Sequence, residues 1–188
     1  MGETRMEHEL ERKFCAVDGA GPLSVGEGAV IEGYASLFGR PDGGGDIVVA
    51  GAYGGSLARL ARRGGRVKML WQHDPAQPIG VWDEVREDER GLYVRGRLLD
   101  GVARGREAAA LVGAGAIDGL SIGYRTIRAV KDKDGRRRLE EIELWEVSLV
   151  TFPMLADARV GAKGDDPEAA LARDLAAAVR DARRMLAQ

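Results

Sequence analysis

Cysteine and histidine are nearly absent: the 188 residues contain one Cys and two His, with six Pro and only 5% aromatic residues. Cys15, alone, can close no intramolecular disulfide and build no thiolate metal cluster. That usage suits a reducing compartment. His8 and His73 are too few for a histidine-rich zinc site, so neither a metal nor a cofactor is expected. No apolar run approaches the ~20 residues that span a bilayer, and the N-terminal stretch lacks the pattern of a cleaved leader, so no membrane association or secretion is expected. A large excess of charge of one sign is also missing. Lys+Arg 28 against Asp+Glu 30 leaves −2, which gives no support to a direct nucleic-acid role. What is present in quantity is hydrophobic residues (45%), charged residues (31%) and Gly (27) spread over separate turns. That composition fits a globular domain with an extension.

The chain divides into an arm (1–28), a main domain (29–160), and a linker with a C-terminal helix (161–188). Residues 1–13 of the arm are mostly charged around His8, so they read as frayed or displaced and the histidine as solvated. Residues 29–38 pattern as a buried strand, followed by a loop rich in turn residues, 39–46. The glycines at 43–45 lack the lysine and hydroxyl of a phosphate-binding loop. Leu57, Leu60 and Ala61 are spaced like the inner face of a short helix, stopped by Gly64-Gly65. Residues 67–71 predict a core strand that delivers His73 and Asp74 into a turn closed by Pro75 and Pro78. A hairpin follows over 79–98, then an alanine-rich helix over 102–112. Residues 122–130 and 139–150 predict two strands around Asp134-Gly135, a hairpin signal with charged shoulders. Arg136, Arg137 and Arg138 read as part of that solvated turn. In the last segment Leu171, Leu175, Val179, Ala182 and Leu186 form one apolar helical stripe. Seven strand candidates without a βαβ rhythm predict a mainly β fold: a curled or closed antiparallel β-barrel with helices in its connections, plus the C-terminal helix.

The chemistry centres on Gly119-Leu120-Ser121-Ile122-Gly123-Tyr124. It matches the G-x-S-x-G pattern of the nucleophile elbow, but an elbow needs a helix after the serine and a histidine later in the chain. Here a strand follows Ser121, and both histidines precede it. A hydroxyl attacks an amide poorly unless a base takes its proton and a third group fixes that base. His73 is the one well-placed base. Glu146 is the candidate third group, because Leu144, Glu146 and Ser148 share one strand face and a buried acid there needs a partner. Asp74 and Glu143 are its rivals.

Taken in order, Gly33-Tyr34-Ala35-Ser36-Leu37-Phe38, Gly45-Asp46-Ile47-Val48, Gly51-Ala52-Tyr53, Leu70-Trp71-Gln72-His73-Asp74, Pro78-Ile79-Gly80 and Gly91-Leu92-Tyr93-Val94 precede the serine hexapeptide. Trp145-Glu146-Val147-Ser148-Leu149-Val150-Thr151 and Pro153 follow it. This ordered set, over roughly 29–160, resembles the prohead (procapsid maturation) proteases of tailed bacteriophages and gene-transfer particles. Those enzymes are similar in fold to the herpesvirus capsid maturation protease, whose triad is serine with two histidines. Ala50 stands where a proline is common, and Pro153-Met154-Leu155-Ala156 departs from the usual ending. The resemblance implies a serine endopeptidase with Ser121 as nucleophile, His73 as base and Glu146 where the herpesvirus enzymes carry their second histidine. It further implies action on the scaffolding segment of the major capsid protein, on other procapsid proteins and on itself. The implied place is inside the assembling procapsid, in the cytoplasm of a bacterial host. A homodimer is left open. The alternative is a non-catalytic procapsid scaffolding protein on the same fold.

Overall fold

The computed structural model describes residues 11–12 and 29–153, so the C-terminal stripe and most of the arm lie outside the described residues. The elements in chain order are β1 (Glu11–Arg12), β2 (Val30–Leu37), β3 (Ile47–Val48), α1 (Gly54–Arg62), β4 (Lys68–Trp71), β5 (Asp74–Glu87), β6 (Gly91–Leu98), α2 (Ala103–Gly113), β7 (Gly119–Lys131) and β8 (Arg137–Val150). The strands form one sheet in the order β1-β7-β8-β4-β5-β6-β2, with β3 also on β8. Most pairs are antiparallel, but β3 and β4 both run parallel to β8. The sheet curls until the end of β2 faces the start of β7 across a cleft. The expected mainly β, curled architecture with helices in the connections is what the chain adopts, as an open sheet.

Strand β8 is the axis of this arrangement. One edge pairs with β7 from Gly119↔Val150 to Lys131↔Arg137. The other edge is covered piecewise: β3 takes Arg138 and Leu139, and β4 takes Glu146 to Leu149. The gap between them is bridged by single bonds. Ile142 N–H donates to the Ala52 carbonyl (3.1 Å), and Leu144 N–H donates to the Ser56 hydroxyl of α1 (2.9 Å). Ser56 is therefore a buried polar residue inside a short helix because it completes the sheet. With hydrogen bonds on both edges, β8 can carry near-continuous apolar sequence, and Leu139, Ile142, Leu144, Val147 and Leu149 are all buried.

Four sequence expectations need correction. The arm is not wholly frayed, since β1 pairs with Gly123 and Tyr124 of β7. The strand expected from 122 begins earlier and takes in Ser121: Gly115, at φ +68°, turns the chain out of α2, and the β7–β8 ladder has already begun at Gly119. The turn after β4 is shorter than expected. Trp71 pairs with Asp74, so the turn is only Gln72-His73, while Pro75 and Pro78 belong to β5. Finally, strict alternation fails at Trp145: Gly123 faces Glu146 but Tyr124 faces Leu144, so Trp145 is the extra residue of a β-bulge.

Candidate active site

The local sequence around His73 is held in an unusual backbone. Gln72 and His73 have φ +52° and +61°, the left-handed pair that a two-residue hairpin of type I′ requires. Such turns favour Asn-Gly; side chains with a full Cβ cost about 1–2 kcal/mol each there. The cost is offset by the end of β8. Gln72 N–H donates to the Leu149 carbonyl (2.9 Å), the Gln72 amide nitrogen donates to the Thr151 hydroxyl (2.8 Å), and His73 N–H donates to Ser148 Oγ (3.1 Å). Behind the turn, residues 75–77 bulge out of the β4–β5 ladder. Arg104 of α2 braces them, with its Nε 2.8 Å from Gln77 Oε1 and its guanidinium 5.6 Å from the Trp71 ring centroid.

This turn puts the imidazole between two strands. His73 Nε2 lies 2.8 Å from Ser121 Oγ on β7, and His73 Nδ1 lies 2.5 Å from Glu146 Oε1 on β8. All three side chains are buried, at 4%, 2% and 4% exposure for His73, Ser121 and Glu146, so their polar atoms have to be met by protein groups. The second carboxylate oxygen, Oε2, accepts from Ser148 Oγ at 2.6 Å. Thus Ser121, His73 and Glu146, nominated separately from the sequence, are brought together on three neighbouring elements.

The two rival acids are elsewhere. The Asp74 carboxylate is turned to its own loop, accepting from Ala76 N–H (2.9 Å) and the Gln77 amide (2.8 Å), and those bonds hold its pKa below the usual value. Glu143 pairs with Arg125 at 2.7 Å on the partly exposed hairpin. Sequence reasoning placed Ser148 on the face of Glu146 but gave it no part in the site. The available signal was its two-residue spacing from Glu146 on a single strand face.

The glycines of the serine hexapeptide have a local cause as well. A Cβ on Gly123 would stand 2.1 Å from Glu146 Oε1, and one on Gly119 would stand 2.6 Å from the Val150 carbonyl. Gly119 lets two strands and a proline (Pro153 Cδ, 2.7 Å) close; Gly123 makes room for a carboxylate lying across β7. Neither position serves an elbow.

Beside Ser121 runs the cleft between β2 and β7. Ala35, Ser36 and Leu37 form one wall, Leu120 and Ile122 the other, and Arg40, Asp42 and Asp46 its polar end. Its free volume is about 20 Å³, room for about one water. Asp42 and Asp46 shape that end. Asp42 Oδ1 accepts from Gly44 and Asp46 N–H (2.9 and 2.8 Å), and Asp46 pairs with Arg137 at 2.9 Å. Among the described residues no group of three or more His, Cys, Asp or Glu side chains is placed to hold a metal ion. A hydroxyl, an imidazole and a carboxylate in line can move one proton from oxygen to nitrogen and stabilise the resulting imidazolium.

Comparison with known proteins identifies what the chain is similar to. The prohead protease of Enterobacteria phage HK97 is 36% identical over 143 residues, covering 73% of this chain and 61% of that protein. The chain therefore spans about three fifths of the length of that relative. The bacteriophage T4 capsid assembly protease superposes with a TM-score of 0.58, covering 77% of this chain and 96% of that one; at 18% identity this likeness concerns the fold alone. The family model described as caudovirus prohead serine protease matches residues 22–172, which include the turn of His73, the strand of Ser121 and the strand of Glu146. With the greater part of its length matched in this way, the chain belongs to the caudovirus prohead serine protease family.

Proposed function

We propose that this chain is a serine endopeptidase that processes capsid and scaffold proteins during procapsid maturation, and that it also cleaves itself. The observation that carries this reading is the buried line Ser121 Oγ, His73, Glu146, with 2.8 and 2.5 Å between successive members. Ser121 Oγ attacks the scissile carbonyl while His73 Nε2 takes its proton. The same nitrogen then returns the proton to the leaving amine. Glu146 keeps Nδ1 protonated and stabilises the imidazolium. A water activated by the same imidazole releases the acyl group. For a peptide to reach Ser121, the cleft between β2 and β7 has to widen. The substrates we assign are the scaffolding segment of the major capsid protein, other procapsid proteins and the chain itself. The place of action is the interior of the assembling particle. The domain division at residues 28/29 and 160/161 belongs to the same reading, with the described fold as the protease unit.

The test is co-expression with the cognate major capsid protein and intact-mass measurement of both chains. Wild type is expected to yield defined truncation products, and Ser121→Ala full-length chains in assembled shells. Identical masses from wild type and Ser121→Ala would remove the protease reading in favour of a scaffold. His73→Ala should match Ser121→Ala, and the double variant should lose little more than either, because the groups act as a unit.

A further inference from the structure

Strand β8 supplies the site with a second side chain, Ser148, which is fully buried and makes two bonds that lead to the same histidine. Its Oγ accepts the backbone N–H of His73 at 3.1 Å and donates to Glu146 Oε2 at 2.6 Å, while Glu146 Oε1 meets His73 Nδ1 at 2.5 Å. The three bonds close a ring in which His73 is gripped at its backbone and at its imidazole by one strand.

We propose that Ser148 is a positioning residue that sets the direction of the proton path through His73 and holds the strained turn that carries it. This rests on the reading of Ser121 as nucleophile. The direction follows from counting protons. A serine hydroxyl has one hydrogen to give. His73 N–H can only donate, so it takes a lone pair of Ser148 Oγ, and the lone hydroxyl proton is free for Glu146 Oε2. The carboxylate, already an acceptor on one oxygen, takes Nδ1–H on the other. Nε2 is then left with its lone pair towards Ser121 Oγ, 2.8 Å away, as a general base needs. A carboxylate without the Ser148 bond could rotate about its last torsion and leave either imidazole tautomer populated. Position is fixed by the same hydroxyl. His73 has φ +61°, which a residue with a Cβ adopts only when its surroundings enforce it, and the bond to Ser148 is its backbone tether to β8. The parallel register Leu70↔Ser148 places the hydroxyl beside the end of β4, where the turn begins. Gly123 leaves the space in which this carboxylate sits, because a Cβ there would stand 2.1 Å from Glu146 Oε1.

The experiment measures the rate at which a fluorophosphonate labels Ser121 in the full chain, followed by intact mass, with the melting temperature and the downfield Nδ1–H proton resonance recorded on the same samples. Ser148→Ala is expected to label on the order of 10- to 100-fold more slowly, because small misplacement of a reacting pair has effects of that size. Its Nδ1–H resonance should shift or broaden away, while that of Ser121→Ala persists. Labelling within about twofold of wild type, with the resonance unchanged, would overturn the proposal. Should Ser148→Ala fail to fold, the isosteric pair Ser148→Thr and Ser148→Val decides. The threonine, keeping the hydroxyl, should label at least about tenfold faster than the valine, and equal rates would overturn the proposal. Failure of wild type to label at Ser121 would instead strike the nucleophile assignment, and the resonance would still report on Ser148.

Discussion

Replacing Gly123 by alanine separates the chemistry of the site from its stability more sharply than removing a reacting group. A Cβ at this position would lie 2.1 Å from Glu146 Oε1, 2.8 Å from its Cδ and 2.9 Å from its Cγ. Real Cβ contacts essentially never fall under 3.0 Å, so the oxygen has to retreat by about 0.9 Å. The bond from His73 Nδ1 to that oxygen is 2.5 Å, and a retreat directed away from the ring takes it to about 3.4 Å, beyond hydrogen-bonding range. The carboxylate is the end of a flexible side chain and not backbone, so the strands have no need to part. What is lost is one charge-assisted bond at a buried group, about 1–3 kcal/mol, which for a protein of this size lowers Tm by roughly 2–10 °C. The rate should suffer more. Displacement of the group that orients the base by about 1 Å corresponds to about 100-fold, or about 2.7 kcal/mol of barrier. The assay is the fluorophosphonate labelling rate of Ser121 beside a thermal melt, with Gly113→Ala as control because nothing stands within 4 Å of its Cβ. A Gly123→Ala protein that labels within about threefold of wild type would refute the account of this glycine, and with it the role given to Glu146.

Other consequences follow from the same structure. Glu146→Gln keeps the shape but exchanges an acceptor oxygen for a donor, so labelling of Ser121 should fall by two or more orders of magnitude if the amide favours the wrong tautomer, with little change in Tm. Ser56→Ala leaves the buried Leu144 N–H without the acceptor it has at 2.9 Å; a loss of about 1–3 kcal/mol is expected in urea unfolding, with no direct effect on labelling. Asp88 titrates below its ordinary value: burial alone would raise it, but bonds from the Tyr34 hydroxyl, Arg90 N–H, Arg86 and Gly91 N–H outweigh that. Its folded pKa being depressed, its contribution is complete above the unfolded value near 4 and is lost as pH falls through the folded one. Asp88→Asn should therefore melt below wild type at neutral pH, and the gap should narrow as the pH falls below the ordinary carboxylate range. Truncation after Gly164 tests the proposed domain division, with an unchanged melt and near-ultraviolet circular dichroism as the expected result.

The sequence determined which side chains were available and which faces they occupied. With two histidines in the chain and one of them in a charged arm, the base could be named from the sequence alone, and alternation along β8 put Glu146 on the face of Ser148, although the bulge at Trp145 takes Leu144 off that face. Strand periods and turn residues likewise located β2, the β5–β6 hairpin, α2 and the β7–β8 hairpin, because those signals are local: each is written in ten or so consecutive residues. Everything that turned these residues into a site is non-local. The parallel pairing of β4 with β8 brings His73 beside residues more than seventy positions away, and no local pattern encodes it. Gln72-His73 does not look like a left-handed turn, since neither residue prefers that conformation; the bonds they donate to Leu149, Ser148 and Thr151 make it tolerable. Gly123 resembles a turn glycine until the carboxylate lying over it is seen. The bulge at Trp145 and the pairing of Glu11 and Arg12 with β7 were likewise hidden. Each depends on which backbone groups remain unpaired once the sheet has curled, and that is decided only when the whole chain is in place.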